Sequence, residues 1–457
     1  MPVESYLDWD DLLVSFSSKL RENKTLFVRV CGEDPIVILR DWKGCLHLCL
    51  PCDPNPMPKV AFNKVIQALS TALGPLSAAQ NGHAEMVLSA TQVIEDFVIY
   101  RGDLFDPEDI WNSPNLVALD RSESPHIYLL DRQDKENDWL KSAPPVSSVA
   151  IPRAIFFGVK GGVGRSSALT ALALRLANDG RRVLVVDADF ESPGVSSSML
   201  SSDARPNYGI IDWLTAQALG YADLGNLALQ QLVETSPLSS LTSGKILIAP
   251  SYGAKTQAYV SKLGRVYRTT ADGEAFAQRL QGLVSTLEDL HKIDVTLIDS
   301  RAGIDDTAAA AITQLEARVT FMFAINTQQT WDAYSILFNH LQRHPTLHTE
   351  NDFRAQLRLV SALTPEEASF KGYWSAFREA AYQTCANGLY DAMPANDDKY
   401  RFNFGFNDED APHFPLRITW DEVLRAFDPV REPAQLSPPV ILKVFDDFLT
   451  RAQRLLT

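Results

Sequence analysis

The feature that most constrains the fold of this chain is the stretch IFFGVKGGVGRSSALTALALRL, residues 155–176. An apolar segment with strand character leads into a turn that contains three glycines, and the turn leads into a helical segment. Glycines leave main-chain N–H groups accessible to an anion, and the positive end of the following helix attracts the same anion. The stretch therefore predicts a phosphate-binding loop. The alternative is a tight turn between a strand and a helix that binds no ligand.

Seven apolar segments after residue 150 predict a sheet around this loop. Several are continuous apolar runs without alternation, which suits the strands of a parallel sheet that is covered on both faces. Helical stretches such as SSALTALALRLAND and EAFAQRLQGLVSTLEDLHK lie between them, so we expect an α/β fold with a doubly wound, mainly parallel sheet. The predicted strands are RAIFFGV, RRVLVVDAD, KILIAPS, VTLIDSR, RVTFMFAIN, LRLVSAL and PLRITWD.

The first 135 residues predict a smaller α/β domain that contains no catalytic motif. Helical spacing marks WDDLLVSFSSKLREN, KVAFNKVIQALSTAL and HAEMVLSATQVIEDFVIY, and DPEDIW has the composition of a helix start. TLFVRVCG and PIVILRDWKGCLHLCLP read as strands. We therefore expect an N-terminal adaptor domain over 1–135, a polar and Pro/Ser-rich linker over 136–150, and a second domain over 151–457.

Three of the five cysteines, Cys45, Cys49 and Cys52, have the spacing C-x3-C-x2-C. That spacing could hold an iron–sulfur cluster. Cys45, His47 and Cys49 also alternate with leucines, which is the period of a strand with buried thiols, and this is the favoured interpretation. An odd number of cysteines without a signal peptide predicts reduced thiols.

Charge and hydropathy exclude other classes of protein. The 457-residue chain carries a formal net charge of −15, which argues against a broad nonspecific DNA-binding surface. The first residues, MPVESYLDWDD, lack the basic and apolar regions of a secretory signal, and no apolar run approaches the roughly 20 residues of a membrane span. We therefore expect a cytoplasmic protein that does not bind membranes.

KGGVGRSS resembles the deviant Walker A motif, KGGxGK[ST], of the ParA/MinD family of P-loop ATPases. VLVVDADFESPGV is similar to that family's strand and switch I segment, and VTLIDSRAGI, with Gly303, to its Walker B and switch II segment. KILIAPS is similar to the strand that ends in Pro-Ala-Ser in MinD relatives. The resemblance covers roughly residues 150–457 and implies a P-loop NTPase domain there.

The resemblance also implies a set of site residues for ATP and Mg²⁺. Lys160 would reach the nucleotide of a partner in a homodimer, Arg165 replaces the lysine that holds the β- and γ-phosphates, and Asp189 would orient the attacking water. The implied metal ligands are Ser166, Asp189 and Asp299, the last through water. The implied nucleotide-binding residues are Gly161, Gly162, Val163, Gly164, Arg165, Ser166, Ser167, Asp187 and Asp299.

The departure from the family pattern is Arg165. Arginine keeps the charge but is longer, planar and bidentate, so phosphate binding is expected to survive. A displacement of about 1 Å can cost roughly 10²-fold in rate, so we predict slow ATP hydrolysis. Alternatively, Arg165 folds outward and Lys160 alone serves the phosphates.

From these residues we expect a nucleotide-dependent dimeric switch that is read by an unidentified partner protein. The alternative is a non-hydrolysing, nucleotide-bound scaffold or regulatory subunit, in an operon-encoded defence or partitioning system. Phosphate release from ATP would separate the two.

Several other residues have two interpretations each. Leu363, Thr364 and Pro365, with Trp420 and Asp421, are candidates for the wall of the base site. Asn326 either lies near that site or caps the following helix.

Asp305 and Asp306 either join a dimer interface or serve as N-cap and first-turn acid, with the second favoured. Ser192 and Ser300 either touch nucleotide or cap turns, and His291 and His340 are expected to be surface or packing residues.

The C-terminal stretch PPVILKVFDDFLTRAQRLLT is amphipathic, and its acidic and basic residues nearly balance. Packing against the sheet is favoured over membrane binding. The aromatic and acidic stretch DAMPANDDKYRFNFGFNDEDAPHFP predicts an extended insertion over the domain surface.

Overall fold

The computed structural model describes residues 9–41, 45–52, 59–73, 97–104, 108–113, 116–131, 138–140, 151–267, 274–349, 351–391 and 401–456. The chain forms two compact units, residues 1–135 and 136–457. Each unit has its own sheet and its own apolar core. In the described parts, no helix is both long enough and apolar enough to cross a bilayer.

The N-terminal unit contains a mixed sheet whose described strands lie in the order β3-β2-β1-β5-β4. The pairs β1–β2 and β4–β5 are antiparallel, and β1–β5 and β2–β3 are parallel. The strands are β1 Ile36–Arg40, β2 Leu46–Leu50, β3 Val98–Tyr100, β4 Leu116–Asp120 and β5 Ile127–Asp131. The helices are α1 Trp9–Glu22, α2 Lys24–Cys31, α3 Lys59–Leu73 and α4 Glu108–Trp111.

Three predictions for this unit are wrong. TLFVRVCG forms helix α2, because Phe27 is buried against Phe62 of α3 and this packing overrides the strand preference of its residues. PIVILRDWKGCLHLCLP forms the two antiparallel strands β1 and β2, and Asp41, which follows β1, accepts a hydrogen bond from Cys45 N, which precedes β2, at 2.8 Å. The predicted helix that ends at residue 100 forms strand β3 at its end, and its residues 83–96 lie outside the described part.

The second unit contains a sheet whose described strands lie in the order β13-β12-β11-β6-β10-β7-β9-β8. Neighbouring strands of this described sheet are parallel, except for the short β8, which is antiparallel to β9. The predicted doubly wound, mainly parallel sheet is therefore confirmed. The strands are β6 Arg153–Gly158, β7 Arg182–Ala188, β8 Glu234–Thr235, β9 Lys245–Ala249, β10 Val295–Ala302, β11 Val319–Ala324, β12 Leu357–Thr364 and β13 Leu416–Thr419.

Helices cover both faces of this sheet. Along β6, Ala154 and Phe156 belong to the cluster on one face, and Ile155 and Phe157 belong to the cluster on the other, which explains its continuous apolar run. The helices are α5 Arg165–Asn178, α6 Val195–Met199, α7 Ile210–Ala218, α8 Ala222–Gln230, α9 Tyr259–Val266, α10 Phe276–His291, α11 Asp306–Gln314, α12 Gln328–Leu341, α13 Glu367–Gly388 and α14 Pro438–Leu456.

Helix α14 is the amphipathic C-terminal stretch, and its apolar face packs on the sheet. Phe448 is fully buried and its ring lies 5.1 Å from that of Phe321 and 6.3 Å from that of Phe156. Asp447 accepts a hydrogen bond from Arg417 N of β13 at 2.7 Å. The prediction that this helix packs against the sheet is confirmed, and its apolar face is used inside the domain.

The described part of the predicted insertion, residues 401–415, has no regular helix or strand. Aromatic and cationic side chains hold it to the domain: the Arg378 guanidinium lies 4.6 Å from the ring centre of Phe406 and 4.8 Å from that of Phe414. Phe402 joins the main apolar cluster.

Candidate functional site

The glycine loop connects β6 to α5 and takes a backbone shape that only glycine adopts easily. Gly162 and Gly164 have φ values of +72° and +83°, which is the left-handed region. A Cβ atom added at either position would meet no atom within 4 Å, so the space beside the loop is open. Val163 between them is buried and anchors the loop to the core. The loop therefore presents its backbone to an open space at the start of α5.

The base of the loop is packed against the end of β10. Gly158 O accepts a hydrogen bond from Gly303 N at 3.0 Å. A Cβ atom at Gly158 would lie 3.3 Å from Lys160 O and 3.4 Å from a carbon of the Phe323 side chain. Glycine at this position thus allows the loop to lie close to its neighbours.

Arg165 is directed inward, between the ends of two strands. Its side chain is 8% exposed, its Nη1 donates to the main-chain O of Ser300, and its Nη2 lies 3.4 Å from Asp189 Oδ2. The alternative in which Arg165 folds outward is therefore not the arrangement in this structure. The guanidinium connects two segments, which we call the switch I turn (residues 189–194) and the switch II turn (residues 300–305, which comprise the end of β10 and the bend after it).

Next to Arg165, a buried group of oxygens lies at the ends of β7 and β10. Ser166 Oγ donates to Asp299 Oδ2 at 2.8 Å, and Asp187 Oδ2 accepts from Ser196 Oγ at 2.6 Å. Asp187 and Asp299 are directly paired across the two strands. Within the described structure, Asp187 Oδ1 and Asp299 Oδ1 are buried without a hydrogen-bond partner. Such oxygens are candidates to meet a cation or a ligand group.

Burial disturbs the pKa values of all three aspartates. Burial and the neighbouring Asp299 raise the pKa of Asp187 to about 7. Burial raises the pKa of Asp299 to about 6, although the Arg165 guanidinium acts in the opposite direction. Burial also raises the pKa of Asp189, and Arg165 partly offsets this. A bound divalent cation would reverse these shifts, because it favours the ionised carboxylates.

Comparison with known proteins identifies the domain that carries this site. Residues 154–349 match the model of a family described as the CobQ/CobB/MinD/ParA nucleotide binding domain. This region is a nucleotide-binding domain of the CobQ/CobB/MinD/ParA type. The match covers the loop, both switch turns and the strands between them.

Individual relatives of this domain are more distant or shorter. A 98-residue stretch is 40% identical to the iron–sulfur cluster carrier protein of Salmonella typhimurium and covers 21% of this chain and 24% of that protein. The chain thus spans about a quarter of the length of this curated relative.

Two solved structures are also similar. The ParA family ATPase of Chlorobium tepidum is 13% identical and covers 66% of this chain and 99% of its own, with a TM-score of 0.40. The septum site-determining protein MinD of Pyrococcus horikoshii, in complex with Mg-ADP, is 17% identical and covers 66% of this chain and 97% of its own, also with a TM-score of 0.40.

The serines and acids beside the site have mostly local roles. Asp305 is the N-cap of α11 and accepts from Thr307 N at 2.9 Å, as the favoured interpretation required. Asp306 stands in the first turn of that helix. Ser192 N donates to Asp189 Oδ1 at 3.2 Å, and Ser300 contributes its main-chain oxygen to Arg165.

The candidate base wall lies at the ends of β12 and β13. Trp420 N donates to Thr364 O at 2.8 Å, and the side chains of Leu363 and Trp420 are 38% and 45% exposed. These two apolar groups are free to contact a ring. Asp421 is paired with Lys443 at 2.8 Å, so its carboxylate already has a cation.

Of the two interpretations of Asn326, the one in which it caps the next helix is wrong. Thr327 is the N-cap of α12, and its side chain accepts from Thr330 N. Asn326 Oδ1 instead accepts from Trp331 Nε1 at 2.9 Å, which holds the end of β11 against α12. Thr327 has φ and ψ of −132° and 148°, the extended conformation that is typical of an N-cap residue.

The cysteine motif does not form a metal site among the described residues, where no group of three or more suitable ligands occurs. Cys49 packs in the cluster on one face of the N-terminal sheet, and Cys52 packs against the cluster on the other face. Strand alternation separates the two thiols.

Three residues near the site escaped the sequence analysis: Glu191, Tyr267 and Arg301. Glu191 lies in the switch I turn, Arg301 in the switch II turn, and Tyr267 follows α9. The Glu191 side chain contacts both of the others. Glu191 and Arg301 lie inside the segments that resemble switch I and switch II, but the three residues are far apart in sequence, so no local signal could have shown that they meet.

Proposed function

We propose that this protein is an ATP-binding molecular switch that works with Mg²⁺, hydrolyses ATP slowly and dimerises when ATP is bound. The observation that carries the proposal is an open glycine loop beside a buried group of oxygens. Ser166 Oγ contacts Asp299, and Asp187 and Asp299 each keep one buried oxygen without a partner in the described structure. Phosphate suits the loop and the start of α5, and Mg²⁺ prefers hydroxyl, carboxylate and phosphate oxygens.

The residues present fit this ligand pair. Ser166, Asp189 and Asp299 would hold the ion directly or through water, and residues 161–167 would hold the phosphates. Bound Mg²⁺ neutralises negative charge on a phosphoryl group. The raised pKa values of Asp187 and Asp299 mean that burial disfavours the ionised form of both carboxyl groups. A bound cation would favour the ionised form.

Slow hydrolysis is proposed because of the contacts of Arg165. Its guanidinium is paired with Asp189, the residue proposed to orient the attacking water. A carboxylate that accepts from a guanidinium has less capacity to accept from water. If a bound phosphate draws the guanidinium only partly away from Asp189, the attacking water cannot take its best position. A displacement of about 1 Å costs roughly 10²-fold in rate.

Binding is tested by calorimetric titration of the full chain with ATP and Mg²⁺. We expect measurable uptake, weakened in Ser166→Ala because the hydroxyl beside Asp299 is lost, and unchanged in Ser240→Ala, an exposed serine outside the site. Absence of any heat or exchange protection of residues 158–167 at high protein concentration would overturn the proposal.

Dimerisation is tested with Lys160→Ala. Lys160 is half-buried next to the exposed Gly161 and Gly162, in the part of the loop proposed to face a second copy. We expect nucleotide binding within about threefold of the wild type, because the loop amides and helix end carry most phosphate contacts. Sedimentation with ATP and Mg²⁺ is expected to lose the dimer, whereas Lys245→Ala, an exposed lysine at the start of β9, keeps it. A dimer that persists in Lys160→Ala contradicts the role of Lys160.

A second candidate function, a nucleotide-bound scaffold that does not hydrolyse ATP, is favoured by the same Arg165–Asp189 pair. If that pair persists with nucleotide bound, Asp189 stays unavailable to water. Phosphate release separates the two functions: an ATPase activity that Asp189→Ala abolishes supports the switch, and nucleotide binding without Asp189-dependent release supports the scaffold.

A further inference from the structure

A network of four side chains joins the switch I turn to the switch II turn outside the Arg165 contacts. Glu191 Oε1 accepts from Tyr267 Oη at 2.6 Å and lies 3.0 Å from Arg301 Nη1. Arg301 Nε in turn lies 3.4 Å from Asp305 Oδ2. One carboxylate of switch I thus contacts both a cation of switch II and a tyrosine outside the two turns.

Tyr267 connects this network to the body of the domain. Its hydroxyl accepts from Thr307 Oγ1 in the first turn of α11 at 3.0 Å. Its ring packs edge-on against Phe276 of α10, with the ring centres 5.0 Å apart. Through Tyr267, Glu191 of the switch I turn is thus connected to Phe276 of α10 and to Thr307 of α11, the helix that follows the switch II turn.

Two separate bridges consequently join the same two turns. The inner bridge is the Arg165 guanidinium, which contacts Asp189 and Ser300 O. The outer bridge consists of Glu191, Arg301 and Tyr267. Glu191 lies two residues after Asp189, and Arg301 lies one residue after Ser300. A phosphate group that attracts the Arg165 guanidinium weakens the inner bridge, and the outer bridge then decides whether the turns move.

We propose that Glu191, Tyr267 and Arg301 form a latch that holds the two switch turns together in the nucleotide-free protein and disfavours a triphosphate relative to a diphosphate. The proposal rests on the proposed nucleotide switch. A ligand can shift the turns only by binding the two arrangements with different affinity. The γ-phosphate distinguishes the two ligands, and it is one of the two phosphates that the family resemblance assigns to position 165. A triphosphate therefore competes for the Arg165 guanidinium with one more phosphate than a diphosphate does, and weakening the latch is expected to favour the triphosphate.

The expected effect is modest because the latch is partly exposed to water. The side chains of Glu191 and Arg301 are 26% and 37% exposed. Ion pairs of this exposure change an equilibrium by about threefold on average. The apparent affinity for the triphosphate then rises by about the same factor, because the competent arrangement becomes more populated.

The first experiment measures hydrogen exchange in the nucleotide-free full chain. In Glu191→Ala, peptides that cover the switch I and switch II turns are expected to exchange about threefold faster, and Tyr267→Phe should show the same direction. The matched control is Glu422→Ala, which removes an exposed pair with Arg425 at 3.2 Å elsewhere in the domain. Unchanged exchange in both latch variants overturns the latch.

The second experiment measures equilibrium binding of a non-hydrolysable ATP analogue and of ADP, each with Mg²⁺. We expect the ratio of the two affinities to shift by about threefold toward the triphosphate in Glu191→Ala and to stay constant in Glu422→Ala. An unchanged ratio in a variant whose turns exchange faster overturns the selectivity claim. If the wild type binds neither nucleotide, the proposed function fails, and the exchange result still tests the latch by itself.

Discussion

Asp187→Asn should change how the stability of the second unit depends on pH, because Asp187 is fully buried at the end of β7. Burial and Asp299 raise its pKa from 3.8 to about 7 in the folded protein. Between those values the folded state keeps a proton that the unfolded state releases, so this carboxyl stabilises the fold at low pH, and its contribution is lost as the pH rises toward 7. With about 1.4 kcal/mol per pKa unit, the full loss is about 4 kcal/mol.

Asparagine keeps the oxygen that accepts from Ser196 and has no charge to bury. Of the roughly three pH units between the two pKa values, about 1.5 lie above pH 5.5. Between pH 5.5 and pH 8, the free energy of unfolding of Asp187→Asn should therefore rise by about 2 kcal/mol relative to that of the wild type. The assay is denaturant-dependent hydrogen exchange of β6, the strand in the interior of the described sheet, with a chelator present to remove divalent cations. Exchange there reports opening of the whole second unit.

Asp332→Asn provides the matched control, since Asp332 is an exposed acid on α12. Its free energy of unfolding should stay within about 0.5 kcal/mol of the wild type at both pH values. If the free energies of unfolding of Asp187→Asn and of the wild type differ by the same amount at every pH from 5.5 to 8, the reasoning is refuted, because the buried carboxyl then does not titrate in that range.

Further predictions concern the loop and the core. Arg165→Lys supplies a shorter, point-like cation, so phosphate release from ATP should rise by roughly tenfold in a colorimetric assay, and an unchanged rate would count against slowing by the guanidinium. Phe448→Ala should cost about 3–5 kcal/mol in the exchange assay, because the ring is fully buried, whereas Leu442→Ala, 62% exposed on the same helix, should stay within about 0.5 kcal/mol. Arg153→Met should cost about 3–5 kcal/mol by leaving the buried Glu288 without its cation, and a smaller loss would mean that Glu288 is neutralised another way.

Much of the second unit could be predicted because its signals are local. The seven predicted strands are present, and several of them, such as β6 and β11, are continuous apolar runs that are buried on both faces of the sheet. The N-terminal unit was less predictable, because α2 has strand-forming residues and becomes helical only through the burial of Phe27 against α3. Strands β4 and β5 were not predicted, although LVALD and IYLLD are short apolar runs; they pair with each other, and β5 pairs with β1.

The sequence by itself determined the glycine loop, because Gly162, Gly164 and the order of strand, turn and helix act over a few residues. It also determined which carboxylates end the neighbouring strands. Only the tertiary structure decided that Arg165 is directed inward to Asp189 and that the buried Asp187 and Asp299 are paired on neighbouring strands. The contacts of Glu191 with Tyr267 and Arg301 also depend on the tertiary structure. Those contacts join residues far apart along the chain, and their energies depend on burial and distance, which no local pattern encodes.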